Sequence, residues 1–197
     1  MARIERLKKS SRGKEIKCSK CGKTIEVGTE YLKATPYRRS PIIRCIECGL
    51  KSYETSGSEY IQSVGAIVEN WQEDYGTSDG TAEEIASALE EIKETQEESL
   101  ENIPENLREG DTGCMLQERI DALEDVISEL EQISFEDLKD ETREEAENNV
   151  GEYDPDDSEC GFESEEEWEE AVAEEMDSLV VDAYIEAIDE ALSALEY

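Results

Sequence analysis

Beyond residue 58, the apolar positions of this 197-residue chain fall at threes and fours, the spacing that lines one face of an α-helix. Tyr60, Ile61, Val64, Ile67, Val68, Trp71 and Tyr75 form the first stripe, and Ser58 stands where a helix N-cap belongs. The segment GTSDG, residues 76–80, breaks it. Thr81-Ala-Glu-Glu84 has the form of a capping box and predicts a second helix, with Ile85, Leu89, Ile92, Gln96, Ser99 and Ile103 on one stripe. Pro104 and the run from Gly110 to Gly113 predict the next break, with the two glycines setting a turn. Leu116, Ile120, Leu123, Ile127 and Leu130 then alternate fours and threes as in a coiled-coil seam, so a third helix is predicted from Met115 or Leu116. Two such helices across a short linker predict an antiparallel hairpin.

Residues 135–150 carry a thinner stripe, Phe135, Leu138, Ala146 and Val150. Residues 151–163, Gly-, Pro- and acid-rich without a period, read as a loop. Ser164-Glu-Glu-Glu167 is a second capping box. It opens the longest predicted helix, to about Leu195, with Trp168, Val172, Met176, Leu179, Ala183, Ile188, Leu192 and Leu195 among its apolar positions and a length of about 45 Å. Before residue 58 the pattern changes. Residues 1–16 read as a basic lead-in, mobile at its start. Residues 17–56 are rich in Cys, Gly and Lys/Arg, and residues 24–27 and 31–34 either side of Gly28 predict a short hairpin. The predicted fold is small α+β: a four-cysteine zinc ribbon or treble-clef-like module at 17–56, then an acidic helical hairpin or bundle over 57–150, the loop, and a long C-terminal helix over 164–197.

The chemistry sits in the cysteines. Cys18-Ser-Lys-Cys21-Gly22 and Cys45-Ile-Glu-Cys48-Gly49 are matched knuckles. In each, two thiolates point at one ion while the glycine permits the tight turn behind them. A redox dithiol of the thioredoxin kind needs a βαβ context that this pattern lacks. Cys18, Cys21, Cys45 and Cys48 are therefore the expected ligands of a structural Zn2+ with no position left for substrate, and the metal supplies much of the folding energy of so small a module. Cys114 and Cys160 remain, either as ordinary thiols or linked to each other.

Charge divides the chain. Residues 1–53 hold 14 Lys+Arg against 5 Asp+Glu, a net of +9, while residues 54–197 hold 5 against 49, a net of −44. In the head, Lys20, Lys23, Arg38, Arg39 and Arg44, with Tyr37 among them, suit phosphate contacts and base stacking. The same head also suits docking on the acidic body of its own chain or of a partner copy. The acidic body reads as a solvated helical face, as adaptation to high salt in a halophilic host, or as a mimic of nucleic acid. With hydrophobic residues at only 37% and no histidine, catalysis and metal binding that need an imidazole are excluded. No phosphate-cradling glycine motif or catalytic constellation is present, so a non-enzyme without a small-molecule substrate is expected. No membrane span or apolar leader is recognisable, so a soluble intracellular protein is expected.

Residues 17–56, with C-x2-C-G-K-x-I-x2-G-x2-Y-L, then P-Y-R-R-S-P-I-I-R-C-I-E-C-G-L and Y-E-T-S, resemble small zinc-finger-like proteins common in tailed bacterial and archaeal viruses. Residues 99–124, SLENIPENLREGDTGCMLQERIDALE, resemble their second shared block. The resemblance implies a metal role for the four paired cysteines, a viral origin, and a location in the infected cell's cytoplasm or the virion. The function expected from these readings is a non-catalytic viral binding or adaptor protein, its basic module on nucleic acid or a nucleoprotein complex and its acidic helices on a protein partner or a second copy. An acidic decoy of a host DNA-binding protein and a virion assembly factor are the alternatives.

Overall fold

The computed structural model describes residues 2–8, 15–36, 39–151, 153, 162 and 164–195. The chain is α+β, with short antiparallel strands toward the N-terminus and helices thereafter. It divides into two compact units after Glu69. Among the described residues, no helix is long and apolar enough to cross a membrane.

Among the described residues the first unit holds five strands: β1 (Ile4–Leu7), β2 (Ile16–Lys17), β3 (Thr24–Ile25), β4 (Tyr31–Ala34) and β5 (Ile42–Cys45). β4 is the centre of a three-stranded antiparallel sheet, pairing Ile4 with Ala34 on β1 and Cys45 with Tyr31 on β5. β2 and β3 form a separate ribbon, Ile16 opposite Ile25. Two expectations are corrected here. The hairpin predicted between residues 24–27 and 31–34 does not form. The first knuckle reverses the chain locally, with the Cys18 N–H donating to the Lys23 carbonyl (2.9 Å) and the Gly22 N–H to the Cys18 carbonyl (3.0 Å). That turn delivers Thr24 and Ile25 back onto the strand that entered it, leaving β4 for β1 and β5. Nor is the basic lead-in mobile at its start. Residues 4–7 are an ordered strand, Leu7 packs on the buried cluster of Cys18, Ile25, Tyr31 and Cys45, and the Thr55 hydroxyl donates to the Ala2 carbonyl (3.2 Å).

After β5 a 3-10 turn (Tyr53–Thr55) leads into α1 (Glu59–Asp74), where the Ser58 hydroxyl accepts the Ile61 N–H at 3.5 Å as its predicted capping place requires. The second unit contains α2 (Thr81–Glu101), α3 (Glu105–Arg108), α4 (Asp111–Leu130), α5 (Phe135–Val150) and α6 (Glu165–Ser193). α2 packs on α4 and α5 on α6. Residues from the start of α2 (Glu83, Ala86, Ser87) share a groove with Ile127 and Glu131 at the end of α4, so these two helices run antiparallel. The predicted seam is the buried face: Leu116, Ile120, Leu123, Ile127 and Leu130 are all in the core, as are Ile85 and Leu89 opposite.

The helix starts show where local signals compete. At α6 the second capping box behaves as predicted, with the Ser164 hydroxyl accepting the Glu167 N–H (3.2 Å). At α2 it does not. The cap is Gly80, and Thr81 is the first helical residue with its hydroxyl buried and without a hydrogen-bond partner among the described residues. The Tyr184 hydroxyl of α6 takes the Ala82 N–H instead (2.8 Å), so a tertiary contact replaces the local cap. α4 begins at Asp111, earlier than its seam predicts, and Gly113 lies in its first turn rather than in a connecting turn. A Cβ there would fall 1.9 Å from the Arg108 carbonyl oxygen, so only glycine lets α3 and α4 approach so closely. The Arg108 guanidinium closes the C-terminal end of α2, donating to the carbonyls of Glu101 (2.9 Å) and Ile103 (3.2 Å). Between the other pair, Phe135 meets Tyr184 edge-to-face at 5.2 Å.

Candidate metal centre

The two knuckles come together because each is fastened to the sheet. Cys45 ends β5 and begins the second knuckle; Cys18 follows β2 directly and begins the first. Ser19, inside the first knuckle, joins them. Its N–H donates to the Ile43 carbonyl (2.8 Å) and its hydroxyl accepts the Ile43 N–H (3.2 Å). The first knuckle thus docks on the outer edge of β5, two residues before Cys45. Behind each pair, Gly22 (φ +72°) and Gly49 (φ +63°) adopt the left-handed conformation with nothing within 4 Å of a would-be Cβ. Their selection is conformational and not a matter of space.

The four sulfurs Cys18, Cys21, Cys45 and Cys48 all lie within 4.8 Å of one another, and Cys21 Sγ and Cys45 Sγ approach to 3.9 Å. A tetrahedral ion with metal–sulfur bonds of about 2.3 Å requires sulfur–sulfur edges of about 3.8 Å. The cluster is therefore at the spacing of a four-thiolate site, and none of the four is in a disulfide. Cys18 and Cys45 are buried, Cys48 is half-buried and Cys21 is exposed. Burial pushes the Cys18 thiol up, but the backbone N–H groups of Cys21, Cys45 and Lys20 and the Cys21 side chain outweigh it and hold Cys18 down at about 6. Cys48 is pushed up to about 12, first by hydrogen bonding to Cys45 and Cys21, then by desolvation and by Cys18. So the cluster holds Cys18 readily as thiolate while Cys48 resists further negative charge. A cation at the centre relieves that repulsion, and the donor set suits a soft or borderline divalent metal.

The sequence-predicted cations divide in this frame. Lys23 pairs with Glu47 (2.9 Å), and so bridges the first knuckle to the second; the Glu47 hydrogen bond raises its pKa, with Cys45 and Cys21 adding to the effect. The Arg44 guanidinium is turned inward to Glu54 (2.7 Å) with its side chain only 14% exposed, and is committed to that ion pair. Lys20 and Arg39 are exposed and form no ion pair among the described residues. Tyr37, Arg38 and Cys160 lie outside the described residues, and Cys114 is an exposed free thiol at the start of α4. Sequence reading missed Ser19 and the carboxylates Glu47 and Glu54. Nothing local distinguishes Ser19, but the opposite charges of Lys23 and Glu47, each two residues after a cysteine, were a readable signal. Comparison with known proteins finds no family model, no curated protein and no solved structure that matches this chain.

Proposed function

We propose that this chain is a non-catalytic binding protein whose N-terminal unit is folded around one structural zinc ion held by Cys18, Cys21, Cys45 and Cys48. The observation that carries this reading is the convergence of four sulfurs, two from each knuckle, within 4.8 Å. Four protein donors fill a tetrahedral shell, so the ion would cross-link the strands and offer no open position for chemistry. In the same reading the unpaired cations of the head bind nucleic acid. Arg3, Lys17, Lys20 and Arg39 are exposed and form no ion pair among the described residues, whereas Arg6 and Lys8 share Glu30, Lys23 pairs with Glu47 and Arg44 with Glu54. The resemblance of residues 17–56 and 99–124 to small viral zinc-finger-like proteins supports a viral setting, with the acidic helices serving association with a protein partner.

Two measurements on the full chain test this. Native mass spectrometry should find one zinc per chain. Fluorescence anisotropy with a DNA or RNA oligonucleotide should show binding that weakens steeply with salt. Lys17→Glu with Lys20→Glu should lower affinity at least tenfold, while Lys93→Glu on α2 should not. Absence of binding at low salt, or equal effects of the two variants, refutes the nucleic-acid part.

A further inference from the structure

We propose that the metal centre is a peroxide-sensitive switch in which Cys21 is the sulfur oxidised and Cys45 the sulfur that resolves it, giving a disulfide between the knuckles. This rests on the reading of the four cysteines as zinc ligands and assigns each a different fate on oxidation. Access distinguishes the sulfurs: Cys18 is 2% and Cys45 8% exposed, whereas Cys21 is open to solvent. A hydroperoxide reaches Cys21 first. Geometry supplies a partner in the other knuckle. Cys21 Sγ lies 3.9 Å from Cys45 Sγ across the two halves, while Cys18 Sγ is engaged by the backbone N–H groups of Lys20, Cys21 and Cys45.

The steps balance. The Cys21 thiolate attacks one peroxide oxygen, the O–O bond breaks, and hydroxide leaves and is protonated to water. The Cys45 thiolate then attacks the sulfenic sulfur of Cys21, the S–O bond breaks, and a second hydroxide leaves as water after protonation. Two thiolates are oxidised by two electrons and one hydroperoxide is reduced. With two of its four ligands spent, the ion is released. The new bond joins the first knuckle to the second, which the metal did before, so the strands stay tethered and a dithiol reductant with zinc restores the centre.

Full-length, zinc-loaded protein prepared anaerobically is treated with hydrogen peroxide. Zinc release is followed with a chromogenic chelator and the disulfides are mapped by peptide mass spectrometry. We expect one zinc released per chain, Cys21–Cys45 as the dominant linkage, Cys18 and Cys48 recovered as free thiols, and full reloading after reduction. Pulse alkylation of the untreated holoprotein, which needs no variant, should label Cys21 at least tenfold faster than Cys18. A dominant linkage other than Cys21–Cys45, a faster Cys18, or no release of zinc by peroxide overturns the switch and leaves the metal site standing. Protein that holds no metal before peroxide is added overturns both.

Discussion

Gly113→Ala sets helix propensity against close packing in a case the structure decides. An ideal Cβ at position 113 falls 1.9 Å from the Arg108 carbonyl oxygen and 2.6 Å from its carbon. Carbon atoms do not approach backbone oxygen within about 3 Å, so α4 and the end of α3 must separate by about 1 Å. The obstacle is backbone, and it is anchored: Arg108 holds the carbonyls of Glu101 and Ile103, and the Gly110 N–H donates to the Leu107 carbonyl (3.1 Å). Propensity alone favours alanine in a helix by about 1 kcal/mol. Overpacking costs about 1–3 kcal/mol, and weakening the Arg108 hydrogen bonds adds about 1 kcal/mol. The net expectation is a loss of about 2 kcal/mol, which for a unit of this size lowers Tm by roughly 6–10 °C. Thermal unfolding followed by helical circular dichroism reads it, with Gly57→Ala, whose Cβ would meet nothing within 4 Å, as the control. A Gly113→Ala protein that melts at or above the wild-type temperature refutes the reasoning.

Three further outcomes follow from the charge and the sulfur cluster. Chelating the metal should abolish hydrogen-exchange protection of β2–β5 while most helical ellipticity remains, because the first knuckle and its ribbon bury few apolar side chains besides the cysteines; retained protection would contradict this. Zinc affinity in a competition titration should fall as pH drops from 8 to 6, since protons compete for the sulfurs and Cys48, pushed up to about 12, must surrender its proton to the ion. Cys18, lowered to about 6 from the ordinary thiol value, contributes stability to the folded module that is complete above pH 9 and is lost as pH falls through 6, so it works in the same direction; a flat profile would refute both. With 49 acidic against 5 basic residues beyond position 53, Tm should rise as salt increases from about 10 mM to about 1 M through screening of self-repulsion; a flat or falling Tm would show that the carboxylates do not oppose folding.

The helices were legible because their stripes are local. The seam from Leu116 to Leu130 is buried as its spacing requires, residues 135–150 form α5, and Ser164 caps α6. The four cysteines were legible for the same reason, each pair being contained within four residues. What escaped depended on partners distant in sequence. β1 was hidden because Ile4 and Leu7 stand among charges, and its strand pairing comes from β4. The 24–27 hairpin failed because the knuckle turn, more local still, claimed Thr24 and Ile25 first. Thr81 lost its cap to Tyr184, 103 residues away, and Gly113 is explained only by Arg108 above it. The pairing of Arg44 with Glu54 could not be read either, since charge along a sequence does not say which way a side chain turns.

The central claim is that four thiolates surround one ion. X-ray absorption at the zinc edge on anaerobically prepared full-length protein, with metal content measured on the same sample, tests it most directly. The account predicts one zinc per chain and four sulfur scatterers at about 2.3 Å with no oxygen or nitrogen in the first shell. Protein without stoichiometric metal, or a shell with fewer than four sulfurs, would contradict it.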